Sequence, residues 1–451
     1  MDLVIRNGTL ITPGGVYPAD VGLLGERIAA VGLELHGERE LDATGCYVLP
    51  GGIDPHVHLQ MPQGRYLSAD DFASGTVAAA LGGTTTVIDF VEPGPGEPLL
   101  DALAQRQAQA AGRAAIDYGL HMTIPAWHAA HPDALATLPD VVTAGVPSFK
   151  LYLAYEGLRL DDAQLYQVLT ALAAVGGLPL IHCENGPLCE TLRAQATARQ
   201  QTSPIYHART RPPGQEAEAV SRALDLAALA GCPVYVVHVS CAASLARLQA
   251  ARGRAAPVYG ETCPQYLLLD ETALAAPGGE LLICAPPLRT PADNDALWDG
   301  LADGGLQVLA TDHCPFIAAD KRGHASFTTI PGGLPGVEAR LSLAHHYGPQ
   351  HGLTLARWVE VCCAAPARIL GLHRKGQIAP GYDADLVVFD PNRWTTLQAG
   401  VTLHERVDWS PYEGRRIRGW PRDVLSRGRV IVRDGEFVGE PGWGRFTPRA
   451  A

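Results

Sequence analysis

The sequence predicts an α/β protein, a barrel of eight parallel β/α units with a small β-sandwich attached, and two observations carry that expectation. Eight short strand-like runs, "GGIDPHVHL", "GTTTVIDF", "AIDYGLHMTI", "SFKLYLAY", "LPLIHCEN", "CPVYVVHVS", "VYGETCPQYLLL" and "LQVLATDHCPF", mostly alternate with Ala/Leu-rich amphipathic stretches such as "EAEAVSRALDLAALAG". Strand and helix patterns alternating eight times read as parallel βα units, and that number favours a closed barrel over an open sheet. No G-x-G-x-x-G follows an early strand, so a dinucleotide-binding sheet has no support. The second observation concerns the ends. "DLVIRNGTLIT", "ADVGLLGERIAAVG" and "CYVLPG" open the chain, "DADLVVFD" and "DVLSRGRVIVRDGEFVG" stand near its finish, and Gly and Asp turns punctuate both groups without helical periodicity. Residues 1–50 and 374–436 are therefore expected to build the β-sandwich together, around a catalytic barrel at 51–373 and before a tail at 437–451.

Composition narrows the function classes. Charged residues at 18% and hydrophobic residues at 47% describe a folded soluble chain with enough apolar side chains for a large core. The net charge of -12, without a Lys/Arg-rich tract, argues against a nucleic-acid partner, because phosphate binding needs clustered positive charge. "MDLVIRNGTL" is neither a basic start nor an apolar run of signal-peptide length, and no span of about 18 apolar residues follows, so a cytoplasmic protein without a membrane partner is expected. The ten cysteines include no CxxC pair and read as reduced core residues, Cys314 in "TDHCPF" among them.

In a barrel of this kind, catalytic groups project from the C-terminal strand ends. Taken in order, strand one ends with His56 and His58, strand four carries Lys150, strand five ends in His182, strand six in His238 and strand eight in Asp312. A single histidine after an apolar run is more often a hydrogen-bonded core residue than a ligand, and a strand-end aspartate is often a helix cap. An H-x-H pair says more, since alternation along a strand turns both imidazoles to one face. Four imidazoles and a carboxylate on one rim suit zinc or a similar divalent metal, and they exceed the three protein ligands of one hydrolytic ion. Two ions are more economical, and they need a bridging anion. Lys150 sits in "VPSFKLYLAY", where an unpaired ammonium would lose several kcal/mol of hydration. An ammonium has no lone pair for a cation, whereas carbon dioxide adding to the neutral amine gives a carbamate whose two oxygens can bridge. A carbamylated Lys150 would also bring a dinuclear site close to charge balance.

These segments, with "APPLR" and "KGQIAPGYDADLVVFDP", resemble the cyclic amidohydrolases of the dihydropyrimidinase and D-hydantoinase family over almost the whole chain. The resemblance implies a barrel with a small β-sandwich, two zinc ions, a carboxylated lysine, and attack of a metal-bridging hydroxide on the ring amide of 5,6-dihydropyrimidines or 5-monosubstituted hydantoins to give N-carbamoyl amino acids. His56 and His58 match ligands of one metal, His182 and His238 ligands of the other, Lys150 the bridge, and Asp312 a ligand that also moves protons. Tyr155 matches a tyrosine that hydrogen-bonds the substrate carbonyl. The family usually has serine at the position of Ala285 and asparagine at that of Gly332, and contacts the ring amide there largely through main-chain groups. Loop residues 60–71, with Leu158 and Arg159, are expected to read the ring substituent, and the tail "DWSPYEGRRIRGWPRDV" implies a homotetramer. Gln60 stands where a dihydroorotase would carry arginine, which counts against that enzyme. Allantoinase remains an alternative, as does a catalytically silent assembly protein of the same fold, although all six ligand positions are filled.

Overall fold

The computed structural model describes residues 1–253 and 256–450. Strands β1 (Leu3–Thr12), β2 (Gly15–Leu24), β3 (Arg27–Gly32), β4 (Glu40–Asp42) and β5 (Tyr47–Pro50) precede the barrel. The barrel opens with β6 (Gly52–Asp54), and a two-stranded hairpin, β7 (Pro62–Gln63) and β8 (Tyr66–Leu67), follows it. The remaining barrel strands are β9 (Thr84–Val91), β10 (Asp117–Thr123), β11 (Ser148–Tyr152), β12 (Leu178–His182), β13 (Val234–Val236), β14 (Val258–Thr262) and β15 (Val308–Leu309). All neighbours in the order β6, β9 to β15 pair in parallel, and a parallel bridge between Val57 and His313 joins first strand to last. Each of the eight predicted runs supplies one of these strands. Every residue of β9 and β10 is buried, as expected where helices cover the outside and side chains fill the inside.

The terminal segments meet as the sequence predicts. Strands β16 (Leu386–Thr396), β17 (Arg416–Ser426), β18 (Arg429–Arg433) and β19 (Glu436–Phe437) join β1 to β5 in one nine-stranded sheet, with β16 and β5 as the seam. Its alternate residues Leu3, Ile5, Leu10, Val21, Val48, Leu386 and Val388 pack into a core of their own. No helix among the described residues is long and apolar enough to cross a membrane.

Local signals explain how the helices start and stop. Asp71 caps the helix Phe72–Leu81 and Ser74 returns the bond, while Gly231 in the left-handed region ends the long helix Pro213–Ala230. After Phe72–Leu81 the chain presses against Glu338, and a Cβ on Gly82 would meet that residue's carbonyl oxygen at 2.1 Å, so only glycine fits.

One buried ion cluster fastens the sheet to the barrel. Lys375 donates to Asp117 of β10 at 2.8 Å and to Asp385, next to β16, at 2.6 Å. Removing one partner of such a cluster leaves the others charged and dry. Lys375→Met is therefore expected to lower unfolding free energy by about 3–5 kcal/mol, measured by urea denaturation. A change below about 1 kcal/mol would show that water already reaches these carboxylates.

Candidate active site

Register decides which side chains enter the barrel. Lys150 on β11 pairs with Leu180 on β12, and Leu180 with Tyr235 on β13, so the three share one face. Leu180 and Tyr235 belong to the inner cluster of Ile53, Ile88, Val237 and Val308, which makes that face the barrel interior. Lys150 is 1% exposed above this layer, with its ammonium 5.1 Å from the Phe90 ring centre and 5.3 Å from that of Tyr152.

The chain contains only two other lysines, and their buried heads are fully partnered. Lys375 has its aspartates, and Lys321 donates to the carbonyls of Ile283, Pro331 and Gly333 at 2.9, 3.0 and 2.7 Å. Lys150 forms no ion pair among the described residues, and its only hydrogen-bonding neighbour is His56 Nε2 at 3.4 Å. Burial lowers it to about 8, against the opposing pull of Asp312, Glu261 and Glu92.

The other predicted residues converge on the same point. Asp312 Oδ1 lies 3.2 Å from His56 Nε2 and 3.1 Å from His58 Nε2, and these three groups form a cluster able to hold a metal ion. His182 Nδ1 stands 2.9 Å from His238 Nε2. Two ligands bonded at about 2.0–2.1 Å to a tetrahedral ion lie about 3.3 Å apart, so these gaps fit donors arranged around an ion. His58 Nδ1 and His238 Nδ1 are buried without a hydrogen-bond partner, so internal bonding satisfies at most one nitrogen of each ring. Burial, then the charge of Lys150, keeps His56 well below the usual imidazole range, and burial with neighbouring His182 does the same for His238. Neutral imidazoles are the ligating form. Burial would raise Asp312, but His56 and His58 outweigh it and hold the carboxyl down to about 2, so it is ionised at neutral pH.

Strain marks the same positions. Tyr155, His238 and Asp312 adopt left-handed backbone angles, φ 70°, 39° and 53°, at a cost of order 1–3 kcal/mol each. Three separate loops held in this way point to a geometry that surrounding structure enforces.

A second layer escaped the sequence reading. Glu261 of β14 accepts from His56 Nδ1, from Tyr235 Oη at 2.6 Å and from His238 N at 3.1 Å. Glu184 accepts from His182 Nε2 at 2.9 Å and pairs with Arg211. Such carboxylates fix the tautomer and ring orientation of ligating histidines. Both stand in the conspicuous segments "GETCPQY" and "HCENG", and each follows its strand-end pattern closely enough to have been a signal.

Above this floor opens a cavity of about 1070 Å³, lined by all six converging residues and by Tyr155, Ala285, Cys314 and Gly332. The Tyr155 hydroxyl makes no hydrogen bond among the described residues, and its ring centre lies 5.0 Å from that of His182. The hairpin β7–β8 lies over the mouth, where Gln63 Nε2 donates to Gly332 O at 3.2 Å and Tyr66 Oη meets His324 Nε2 at 3.4 Å. Leu158 lines the cavity as expected, whereas Arg159 does not and pairs with Glu190 of the cavity wall. Gln60 does not line it; within the loop 60–71 the lining runs from Met61 to Tyr66. His313 faces away from the cavity, bonded to Asp70 at 3.1 Å.

Known proteins resemble the chain over its full length. The sequence profile of the amidohydrolase family matches residues 47–431. A D-hydantoinase of Geobacillus stearothermophilus is 44% identical over 460 residues, covering 100% of this chain and 97% of that protein. A D-phenylhydantoinase of Escherichia coli (strain K12) is 42% identical over 458 residues, covering 100% and 98%. The crystal structure of a dihydropyrimidinase from Brevibacillus agri superposes with a TM-score of 0.97 at 43% identity, covering 100% of this chain and 99% of that one.

Proposed function

Because the chain belongs to the amidohydrolase family and is a cyclic amide hydrolase of the hydantoinase type, we propose that its cavity opens 5,6-dihydropyrimidine or 5-monosubstituted hydantoin rings at an amide bond, releasing N-carbamoyl amino acids. His56, His58, Lys150, His182, His238 and Asp312 would hold two divalent ions, zinc in the first instance. The observation that carries this reading is the uncompensated Lys150 among four histidines and an aspartate. Its amine nitrogen bonds the carbon of carbon dioxide and gives up a proton, and the resulting carbamate is an anion suited to bridge two cations. When bound, the ions supply a water that ionises near neutral pH and polarise the scissile carbonyl.

The chain's own groups do the rest. Asp312 turns Oδ1 towards His56 Nε2 and His58 Nε2, with which it would hold one ion, leaving Oδ2 to take the proton of the attacking water and return it to the departing ring nitrogen. Tyr155 donates its hydroxyl to the carbonyl oxygen as negative charge develops there, and burial keeps that hydroxyl protonated by raising it far above the usual phenol range. Ala285 and Gly332 present main-chain groups to the ring amide. The same reading makes the working form a homotetramer.

A substrate panel tests it. Dihydrouracil or 5-monosubstituted hydantoins are expected to give a higher kcat/KM than dihydroorotate. Of the three arginines on the cavity wall, Arg65 and Arg193 are exposed and Arg211 is already paired with Glu184, so a ring carboxylate buried beside the histidines would stay unpaired at a cost of several kcal/mol. A higher kcat/KM for dihydroorotate than for every neutral ring tested would overturn the assignment.

A further inference from the structure

The three acceptors of Lys321 lie on the two loops that carry Ala285 and Gly332. One is Ile283 O, two residues before Ala285, and the others are Pro331 O and Gly333 O, one on each side of Gly332. Lys321 is fully buried at the end of the short helix Ala318–Lys321, behind these loops and outside the set of residues that line the cavity. A backbone bond from Gly333 N to Ile283 O at 2.9 Å ties the loops directly. A Cβ on Gly333 would meet Cys314 O at 2.3 Å, so that loop also sits tightly on the strand-eight segment.

The pattern of engaged carbonyls is selective. Cys284 O accepts from His207 Nε2 at 2.8 Å, and Pro286 O accepts from Tyr266 Oη at 2.7 Å. With Ile283, Pro331 and Gly333 taken by Lys321, the flanking carbonyls are satisfied from within the fold. The N–H and C=O of Ala285 and the N–H of Gly332 make no hydrogen bond among the described residues, and both residues line the cavity. Free donors and acceptors held at a cavity wall are what a ring amide needs, since it presents N–H and C=O side by side.

We propose that Lys321 is a positioning residue for substrate binding, an ammonium staple that holds the two loops so that the free main-chain groups of Ala285 and Gly332 meet the ring amide together. This rests on the hydantoinase reading of the cavity. It also explains how alanine and glycine serve at positions where the wider family usually has serine and asparagine, because the loops are fixed from behind by a cation and not by side chains facing the substrate. An ammonium suits the task through its three N–H groups, one for each carbonyl, although burial lowers the amine to about 7.

The test is steady-state kinetics of the metal-loaded enzyme on hydantoin, with metal content measured beside it. Lys321→Gln retains two donors and is expected to fold, to bind metal as the parent does, to keep kcat within about threefold, and to raise KM at least about tenfold. Lys321→Met removes all three donors and should raise KM further. A role in stability alone would lower the active fraction, and with it apparent kcat, while leaving KM unchanged; that result overturns the proposal. Failure of both variants to fold assigns Lys321 to the core and overturns it as well. A parent enzyme that hydrolyses no cyclic amide would instead remove the reading on which the staple depends.

Discussion

Lys150→Ala is expected to bind at most one metal ion and to hydrolyse hydantoins at a rate near background. The cause is the loss of a shared counter-charge: the six residues that line the cavity floor include only one carboxylate, Asp312, and two dications held among neutral imidazoles would repel. Added acetate or propionate should restore part of both properties, because a small carboxylate offers two oxygens in the space the truncated side chain vacates. Lys150→Arg should not be rescued, since its guanidinium fills that space with a permanent positive charge. Metal content and turnover are measured on the same samples. Full turnover of Lys150→Ala with two metals and no added carboxylate would make Lys150 an ordinary buried lysine.

Tyr155→Phe is expected to keep both metals and lose roughly 10² to 10³ in kcat, the range for deleting one donor to a developing oxyanion. Only the hydroxyl is removed, so the ring contacts with Tyr152 and His182 persist and the left-handed backbone at Tyr155 stays in place. The loss should fall on kcat more than on KM, because the oxygen carries far more negative charge in the transition state than in the bound ring. An unchanged kcat in a metal-replete variant would leave Tyr155 as a packing residue.

What the sequence made legible was the part governed by local pattern. Parallel strands buried on both faces read as unbroken apolar runs, so "GTTTVIDF" and "AIDYGLHMTI" announced β9 and β10 without help from tertiary structure. The lysine and histidines stood out because they break such runs. What escaped depends on contacts between distant residues: Glu261 lies 205 positions from the His56 ring it orients, and Lys321 reaches a carbonyl 38 positions away. Loop direction was legible only in part. Leu158 lines the cavity while its neighbour Arg159 is held by Glu190 of the helix Gly186–Ala198 and does not, and within the loop 60–71 Gln60 leaves the lining to Met61 and the residues up to Tyr66. The strained angles of His238 and Asp312 have no sequence signal of the kind glycine provides.

The proposed dinuclear centre is tested most directly by titrating metal-stripped enzyme with zinc in bicarbonate buffer and recording hydantoin hydrolysis against bound metal per chain. Activity should rise until two equivalents are bound and then level off. Saturation at one equivalent, or full activity in the stripped enzyme, would contradict a pair of ions bridged by Lys150.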